Sequence, residues 1–255
     1  MLNHSVIYKT LLKVNAADKG VYNFMGGDTK ELYLENLTRQ PNDWYYRTHP
    51  ITYTLNQQGY RLDQELNEIN WANATVIFGC SNVFGDGIEN KHTISSQLQR
   101  LLKEPVINLG IGGASAELIR HNITLLLEYY PTPKRIVILW PDRTRTVSYE
   151  HMYPSVHGSW NIEQNTLADL WNQGHNTDNQ FWFTRHSVKQ QCKDLVYIDA
   201  CVDADDAVIV QTESIFELRR RNDHMGARDL QHPSPGACGL IAQWIRQRIK
   251  HIQRE

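Results

Sequence analysis

A serine, an aspartate and a histidine stand at positions where they could act together. Ser81 follows the apolar run in "VIFGCS", and Asp229 stands three residues before His232 in "ARDLQHP". Together a hydroxyl, an imidazole and a carboxylate can perform nucleophilic catalysis, in which the imidazole takes the hydroxyl proton and the carboxylate orients the imidazole. Each pattern alone is also common at helix caps and in turns. Whether they form a site therefore depends on the elements that position them.

From residue 74 onward, apolar runs of strand length alternate with segments of helical period. The runs are "ATVIFG", "PVINLG", "RIVILW" and "AVIVQ". This alternation predicts a single α/β domain, with a doubly wound and mainly parallel sheet between two layers of helices. Ligands of such sheets bind beyond the carboxyl ends of the strands. We therefore expect the residues that follow these runs to converge there with Asp229 and His232, which precede the last helix. The residues after the runs are Ser81, Gly112, Gly113, Arg143 and Arg145.

Three helices between and after the runs have readable boundaries. Thr93 is a candidate cap for a helix whose apolar stripe begins at Ile94. A second stripe begins at Leu118, and Pro131 ends it. Ser234 followed by proline indicates the start of a final helix that buries one apolar face. The first two helices are expected to cover the sheet, and the last is expected to close the domain.

The chain divides into two parts by composition. Residues 1–73 are polar and aromatic, and we interpret them as a leader layer packed on the core. Residues 74–255 form the predicted α/β domain. A long aromatic, helical-looking insertion spans about residues 144–206 and is the expected place for a lid or a substrate-selecting wall.

Composition excludes several classes of function. With 255 residues, 41% of them hydrophobic, and a formal net charge of -2, the chain lacks the basic excess of a general nucleic-acid binder. Neither a signal-peptide core nor a membrane-spanning apolar stretch is evident, so no membrane partner and a cytoplasmic location are expected. The four cysteines lack C-x-x-C spacing and the histidines lack H-x-x-x-H spacing, so we expect no disulfide framework and no metal site.

Several blocks together resemble the SGNH, or GDSL-like, hydrolases, particularly microbial and phage members. Gly79-Cys80-Ser81 resembles the first block of the family, with cysteine in place of aspartate. Asn108 to Gly113 resembles the second block, and Asp229 to His232 resembles the last. The resemblance extends from Val76 to Trp244, and "ARDLQHPSPGACGLIAQWI" is its most specific part. "LNQQGYR" also resembles a lead-in found in these members.

The resemblance implies a flavodoxin-like fold and a serine esterase that needs no cofactor. Ser81 would be the nucleophile, His232 the general base and Asp229 its orienting carboxylate, while Gly113 would donate a backbone N–H to the oxyanion. The third family block normally supplies an asparagine, but here the corresponding strand ends in "ILWPDRTR". Arg143 or Arg145 would replace that donor, or the donor is missing. The expected substrate is an ester of a small molecule or carbohydrate, for example an acetyl ester.

The sequence is also compatible with two other functions. The protein could keep the hydrolase fold as a non-catalytic binding module, because it lacks the asparagine of the third family block. A nucleotide-binding protein would use "GIGGAS", Gly110 to Ser115, as a phosphate loop at a helix N-terminus. The serine at the end of that motif, where the dinucleotide fingerprint has glycine, argues against it. Cys80 is expected to be a small buried residue behind the nucleophile.

Overall fold

A computed structural model describes residues 11–12, 19–143, 145–148, 155–158, 177–201 and 226–254. Its strands and helices alternate along much of the chain. In chain order they are β1 Gly20–Tyr22, α1 Lys30–Arg39, β2 Tyr53–Leu55, β3 Thr75–Gly79, α2 Ser81–Phe84, α3 Ile94–Leu102, β4 Val106–Gly110, α4 Ala116–Tyr129, β5 Arg135–Trp140, β6 Thr146–Ser148, β7 Ser155–His157, α5 Thr177–Gln191, β8 Val196–Cys201 and α6 Pro235–Ile252.

The central sheet contains four parallel strands in the order β4-β3-β5-β8. Numbered by their order in the chain, these strands run 2-1-3-4, as in flavodoxin-like sheets. Gly79 at the end of β3 lies opposite Gly110 of β4 and Leu139 of β5. The carboxyl ends therefore share one edge, and the prediction of a parallel α/β sheet is confirmed.

Helices cover both faces of this sheet. On one face, Ile77 and Val137 pack with apolar residues of α3 and α6, including Leu98 and Ile245. On the other face, the alternate strand residues pack against α4 and α5, through Val76, Phe78, Ile138, Trp140, Leu118, Ile123, Phe181 and Val188. Each fully buried side chain of this kind contributes about 1.5–3 kcal/mol by leaving water. The three-layer prediction is thus also confirmed.

The predicted helix caps are present. Thr93 Oγ1 accepts a hydrogen bond from Ser96 N at 3.2 Å, and Ser234 Oγ accepts one from Ala237 N at 3.1 Å. Pro235 occupies the first position of α6, where its missing N–H costs no helical hydrogen bond. Among the described residues, no helix combines the length and the apolar composition that a membrane span requires.

The predicted insertion at 144–206 needs correction, because it includes a strand of the central sheet. β8 pairs in parallel with β5 along its whole length. Asp199 breaks the apolar pattern of this strand, yet its Oδ2 accepts hydrogen bonds from Trp140 Nε1 at 2.9 Å and Arg185 Nε at 2.5 Å. These bonds compensate for placing a carboxylate there. The run "AVIVQ", predicted as the fourth strand, lies outside the described residues, as does much of the insertion.

The described part of the leader contains α1 and the antiparallel pair β1 and β2. Some of its apolar side chains form a separate cluster that packs on Phe84 of α2, whereas others, such as Leu66 and Trp71, belong to the main core. The cluster includes Trp44, Tyr46, Ile51, Tyr53 and Leu55. The leader therefore lies directly against the short helix that begins with Ser81.

Candidate active site

Ser81 is the first residue of α2, directly beyond the carboxyl end of β3. It is buried, with 8% of its surface exposed. Two glycines let this short helix lie close to the sheet. A Cβ added at Gly79 would lie 2.4 Å from Val83 Cγ2, and one added at Gly110 would lie 2.4 Å from Phe84 N. Any larger residue at either strand end would displace α2 and the serine with it.

Two buried side chains hold α2 in place. Asn108 Nδ2 donates to the carbonyl of Val83 at 2.9 Å, while its Oδ1 accepts from Gly110 N at 3.0 Å. Arg61 Nη1 donates to the carbonyl of Gly85 at 2.6 Å, directly after the helix. Carbonyls at a helix C-terminus lack intrahelical partners, so a buried guanidinium can satisfy them. Asn108 and Arg61 lie in the two stretches that resemble the second family block and the lead-in, and both position α2.

Asp229 and His232 form a closely bonded pair in the loop before α6. The distance from His232 Nδ1 to Asp229 Oδ2 is 2.5 Å. Asp229 Oδ1 also accepts from the backbone N–H groups of Gln231 and His232, at 3.0 and 3.2 Å. Leu230 adopts a left-handed conformation with φ of 58°, which turns the chain around the carboxylate. The carboxylate thus fixes both the loop and the imidazole.

The environment of Asp229 keeps it ionised. Burial by itself raises the pKa of this carboxyl group, because the charged form loses water. Hydrogen bonds and positive charge from His232, with the backbone N–H of Gln231, outweigh burial and hold the pKa of Asp229 below its ordinary value. An ionised carboxylate at Nδ1 favours the tautomer that carries its proton on Nδ1, in which the unprotonated Nε2 can act as a base.

Contacts join the 226–232 loop to the segment 81–87. Arg228 N donates to the carbonyl of Gly87 at 2.7 Å. A Cβ added at Gly87 would lie 2.9 Å from Asp229 Oδ1, so this glycine allows the two segments to approach closely. The structure therefore places the segment that begins with the predicted nucleophile in contact with the loop that carries Asp229 and His232.

Asp86 is a residue of this site that sequence reasoning missed. Its backbone N–H donates to the carbonyl of Ser81 at 3.2 Å, and its Oδ2 lies 3.9 Å from His232 Nε2. Asp86 is 2% exposed. In the sequence it reads as a turn residue between two glycines, and nothing local indicates its contact with an imidazole far along the chain.

The leader contributes a backbone turn to the site. Gly27 N donates to Asp86 Oδ2 at 3.0 Å. A Cβ added at Gly27 would lie 3.1 Å from His232 Cε1. Gly26 has φ of 60°, a conformation that favours glycine. In the sequence the Gly-Gly pair indicates a turn without indicating what the turn contacts.

The other predicted site residues lie on loops after the neighbouring strands. Gly113, with φ of 77°, is in the turn between β4 and α4, where Ala114 N donates to the carbonyl of Ile111 at 3.0 Å. Arg143 and Arg145 follow β5 and are half-buried. All three follow strands whose carboxyl ends share an edge with β3, and their roles toward an oxyanion stay predictions.

Ser115 and Cys80, which flank the predicted site in the sequence, both have structural roles. Ser115 caps α4 by accepting from Leu118 N at 3.3 Å. Cys80 is a free thiol with 1% of its surface exposed. Within the part of the chain that the structure describes, no group of three or more metal-ligating side chains is placed to hold an ion.

Comparison with known proteins yields distant structural similarity only. No protein-family model matches the sequence, and no curated protein matches it. A member of the lipolytic protein G-D-S-L family from Veillonella parvula matches with 13% identity and a TM-score of 0.42, over 68% of this chain and 96% of that one. TesA matches with 17% identity and a TM-score of 0.39, over 69% and 98%. At TM-scores below 0.5 this likeness carries no inference about activity.

Proposed function

We propose that the chain is a serine hydrolase of the SGNH type that cleaves a carboxylic ester. One observation carries the proposal: the His232–Asp229 pair, joined at 2.5 Å, packs beside the turn that follows Ser81. An imidazole bonded through Nδ1 to an ionised carboxylate is poised to act as a base through Nε2.

In the proposed reaction, Ser81 Oγ attacks the ester carbonyl while His232 Nε2 takes the hydroxyl proton. The tetrahedral intermediate then breaks its bond to the alcohol oxygen, and the imidazolium returns the proton to that alcohol. This step leaves an acyl group on Ser81. Water attacks the acyl-enzyme in the same way, with His232 again accepting a proton and returning it to Ser81 as the acid is released. Asp229 stays ionised throughout.

The oxyanion would be stabilised by backbone N–H groups, principally those of Ser81 and Gly113. Arg143 or Arg145 is the proposed source of a third donor, in place of the asparagine of the family. Removal of one such donor typically costs about 3 kcal/mol of transition-state stabilisation. The chemistry as proposed requires no cofactor.

The proposed substrate is a small-molecule or carbohydrate ester, for example an acetyl ester. Exposed aromatic side chains on α5 are candidate stacking surfaces for a sugar, because aromatic faces present large apolar surfaces to a ligand. Trp182 and Phe183 of α5 are 46% and 75% exposed. Comparing a series of acylated sugars with simple aryl esters would test this preference.

Turnover of a small aryl acetate tests the proposal directly. We expect Ser81→Ala and His232→Ala each to reduce kcat/KM by at least about 1,000-fold, because the members of such a triad act as a unit. Cys80→Ala and His251→Gln are matched controls and should retain the parent rate. Equal turnover by the parent and Ser81→Ala would contradict the proposal. A parent with no turnover, on a well-folded chain, would instead favour the non-catalytic binding module.

A further inference from the structure

Two carboxylates flank the imidazole of His232. Asp229 binds Nδ1, and Asp86 Oδ2 lies 3.9 Å from Nε2, the nitrogen that must gain a proton in the proposed reaction. The proposed mechanism gives Asp229 a task and gives Asp86 none. A second buried carboxylate on the reactive side of the ring therefore needs a physical explanation.

Asp86 is held in place although its burial is costly. Its Oδ2 accepts from Gly27 N at 3.0 Å, whereas its Oδ1 has no hydrogen-bond partner among the described residues. A Cβ added at Gly26 would lie 2.4 Å from Asp86 Oδ2, so the leader turn closes tightly over the carboxylate. Burying a carboxylate with so few partners destabilises a fold unless a nearby positive charge compensates. The imidazolium of His232, 3.9 Å away, supplies such a charge, with a smaller contribution from the guanidinium of Arg61.

We propose that Asp86 is a positioning residue for His232. The carboxylate of Asp86 stabilises the imidazolium from the Nε2 side and so makes the imidazole a stronger base. The mechanistic consequence rests on the ester hydrolysis proposed above. The electrostatic effect of Asp86 on His232 does not depend on that reaction. At a separation of about 4–6 Å, an opposite charge commonly changes a pKa by about one to three pH units.

The other charged and titratable groups around Asp86 are compatible with this role. Burial raises the pKa of Asp86 to about 6, while His232 and the Gly27 N–H lower it, Asp229 raises it and Arg61 lowers it. Tyr53 also lies nearby, but burial raises its pKa far above neutrality, so it carries no charge. Asp86 is thus ionised above about pH 6 and can pair with the imidazolium that forms during turnover.

The test combines a titration and a rate profile. Asp86→Asn removes the charge and keeps the shape, and an NMR titration follows the Cε1–H signal of His232, assigned by its loss in His232→Gln. We expect the variant to lower the pKa of His232 by about one to three. The acid limb of kcat/KM should move to lower pH by the same amount, with kcat reduced and KM little changed. Asp43→Asn, which alters an exposed carboxylate, should change neither quantity.

An unchanged pKa of His232 in Asp86→Asn would overturn the proposal, whatever the rates show. If Asp86→Asn does not fold, Asp86→Ser removes the charge but leaves an oxygen acceptor for Gly27 N, and the same criterion applies. The titration does not require turnover. A lowered pKa in a chain without Ser81-dependent esterase activity would therefore support the coupling and contradict the ester hydrolysis, which separates the two proposals.

Discussion

Arg228 binds the carboxylate of Asp28, 200 positions away in the sequence, through Nε at 2.9 Å and Nη2 at 2.5 Å. Both side chains are buried. Asn36 Nδ2 donates to the carbonyl of Arg228 at 3.0 Å, and Tyr53 Oη donates to Asp28 Oδ2 at 2.5 Å. Because Arg228 precedes Asp229 in the chain, the leader supports the loop that presents the imidazole.

Breaking this ion pair should unfold or loosen the site. Asp28→Ala leaves the guanidinium of Arg228 buried without its counter-charge, which typically costs about 3–5 kcal/mol. We expect a loss of this size in the free energy of unfolding, measured by urea titration, with a parallel loss of esterase activity. The exposed-site variant Asp43→Asn should leave both unchanged. A change below about 1 kcal/mol for Asp28→Ala would mean that the pair does not stabilise the fold.

A methyl group on the leader turn should reach the catalytic imidazole. In Gly27→Ala the new Cβ would lie 3.1 Å from His232 Cε1, closer than an ordinary contact. The ring must shift, and displacements of this kind can reduce kcat by about 100-fold. Gly226→Ala is the control, because its Cβ would meet only Leu230 Cδ2, at 3.4 Å. Full activity of Gly27→Ala would show that the turn does not constrain the ring.

The sequence predicted those parts of the fold whose signals are local. The runs that became β3, β4 and β5 are largely apolar because both faces of a parallel sheet are buried. Thr93 and Ser234 mark helix starts through hydrogen bonds to N–H groups three residues ahead. The strand β8 was missed because Asp199 interrupts its pattern, and its partners Trp140 and Arg185 are distant in sequence.

In the candidate site, too, the sequence predicted the residues with local patterns and missed those that depend on distant contacts. Ser81 and the Asp229–His232 spacing could be recognised, since each is a compact pattern at a predictable edge of the sheet. Asp86 and Gly27 could not, because their importance comes from packing between the leader, α2 and the loop before α6. Nothing near Gly27 in the sequence indicates that its backbone would face an imidazole. Such contacts depend on tertiary structure alone.

The raised pKa of Asp86 predicts a pH-dependent effect of its removal. Between its ordinary pKa of 3.8 and its folded pKa of about 6, the folded chain holds a proton that the unfolded chain releases. Stability from this group therefore falls as pH rises through that window. Relative to the parent, Asp86→Asn should gain more unfolding free energy at pH 8 than at pH 4, by up to about 3 kcal/mol. Urea titrations at both pH values measure this, and an equal difference at both would contradict it.

Leu230 offers a test of backbone strain beside the candidate site. Its φ of 58° places a leucine in the left-handed region, at a cost of about 1–2 kcal/mol. Asparagine tolerates this conformation, and Leu230 is 46% exposed, so little burial is lost. We expect Leu230→Asn to raise Tm. Leu240→Asn, at a 37% exposed position within α6, should lower Tm because asparagine is a poorer helix former. A fall in Tm for both variants would show that strain at Leu230 is negligible.

Labelling with a fluorophosphonate probe, followed by mass mapping of the modified peptide, tests the proposed nucleophile most directly. The probe reacts with a serine whose hydroxyl an adjacent base activates. We predict one adduct, on Ser81, which is abolished in Ser81→Ala, strongly slowed in His232→Ala and retained in Cys80→Ala. A folded parent that does not label, or an adduct on any other residue, would contradict the assignment of Ser81 as the nucleophile of a serine hydrolase.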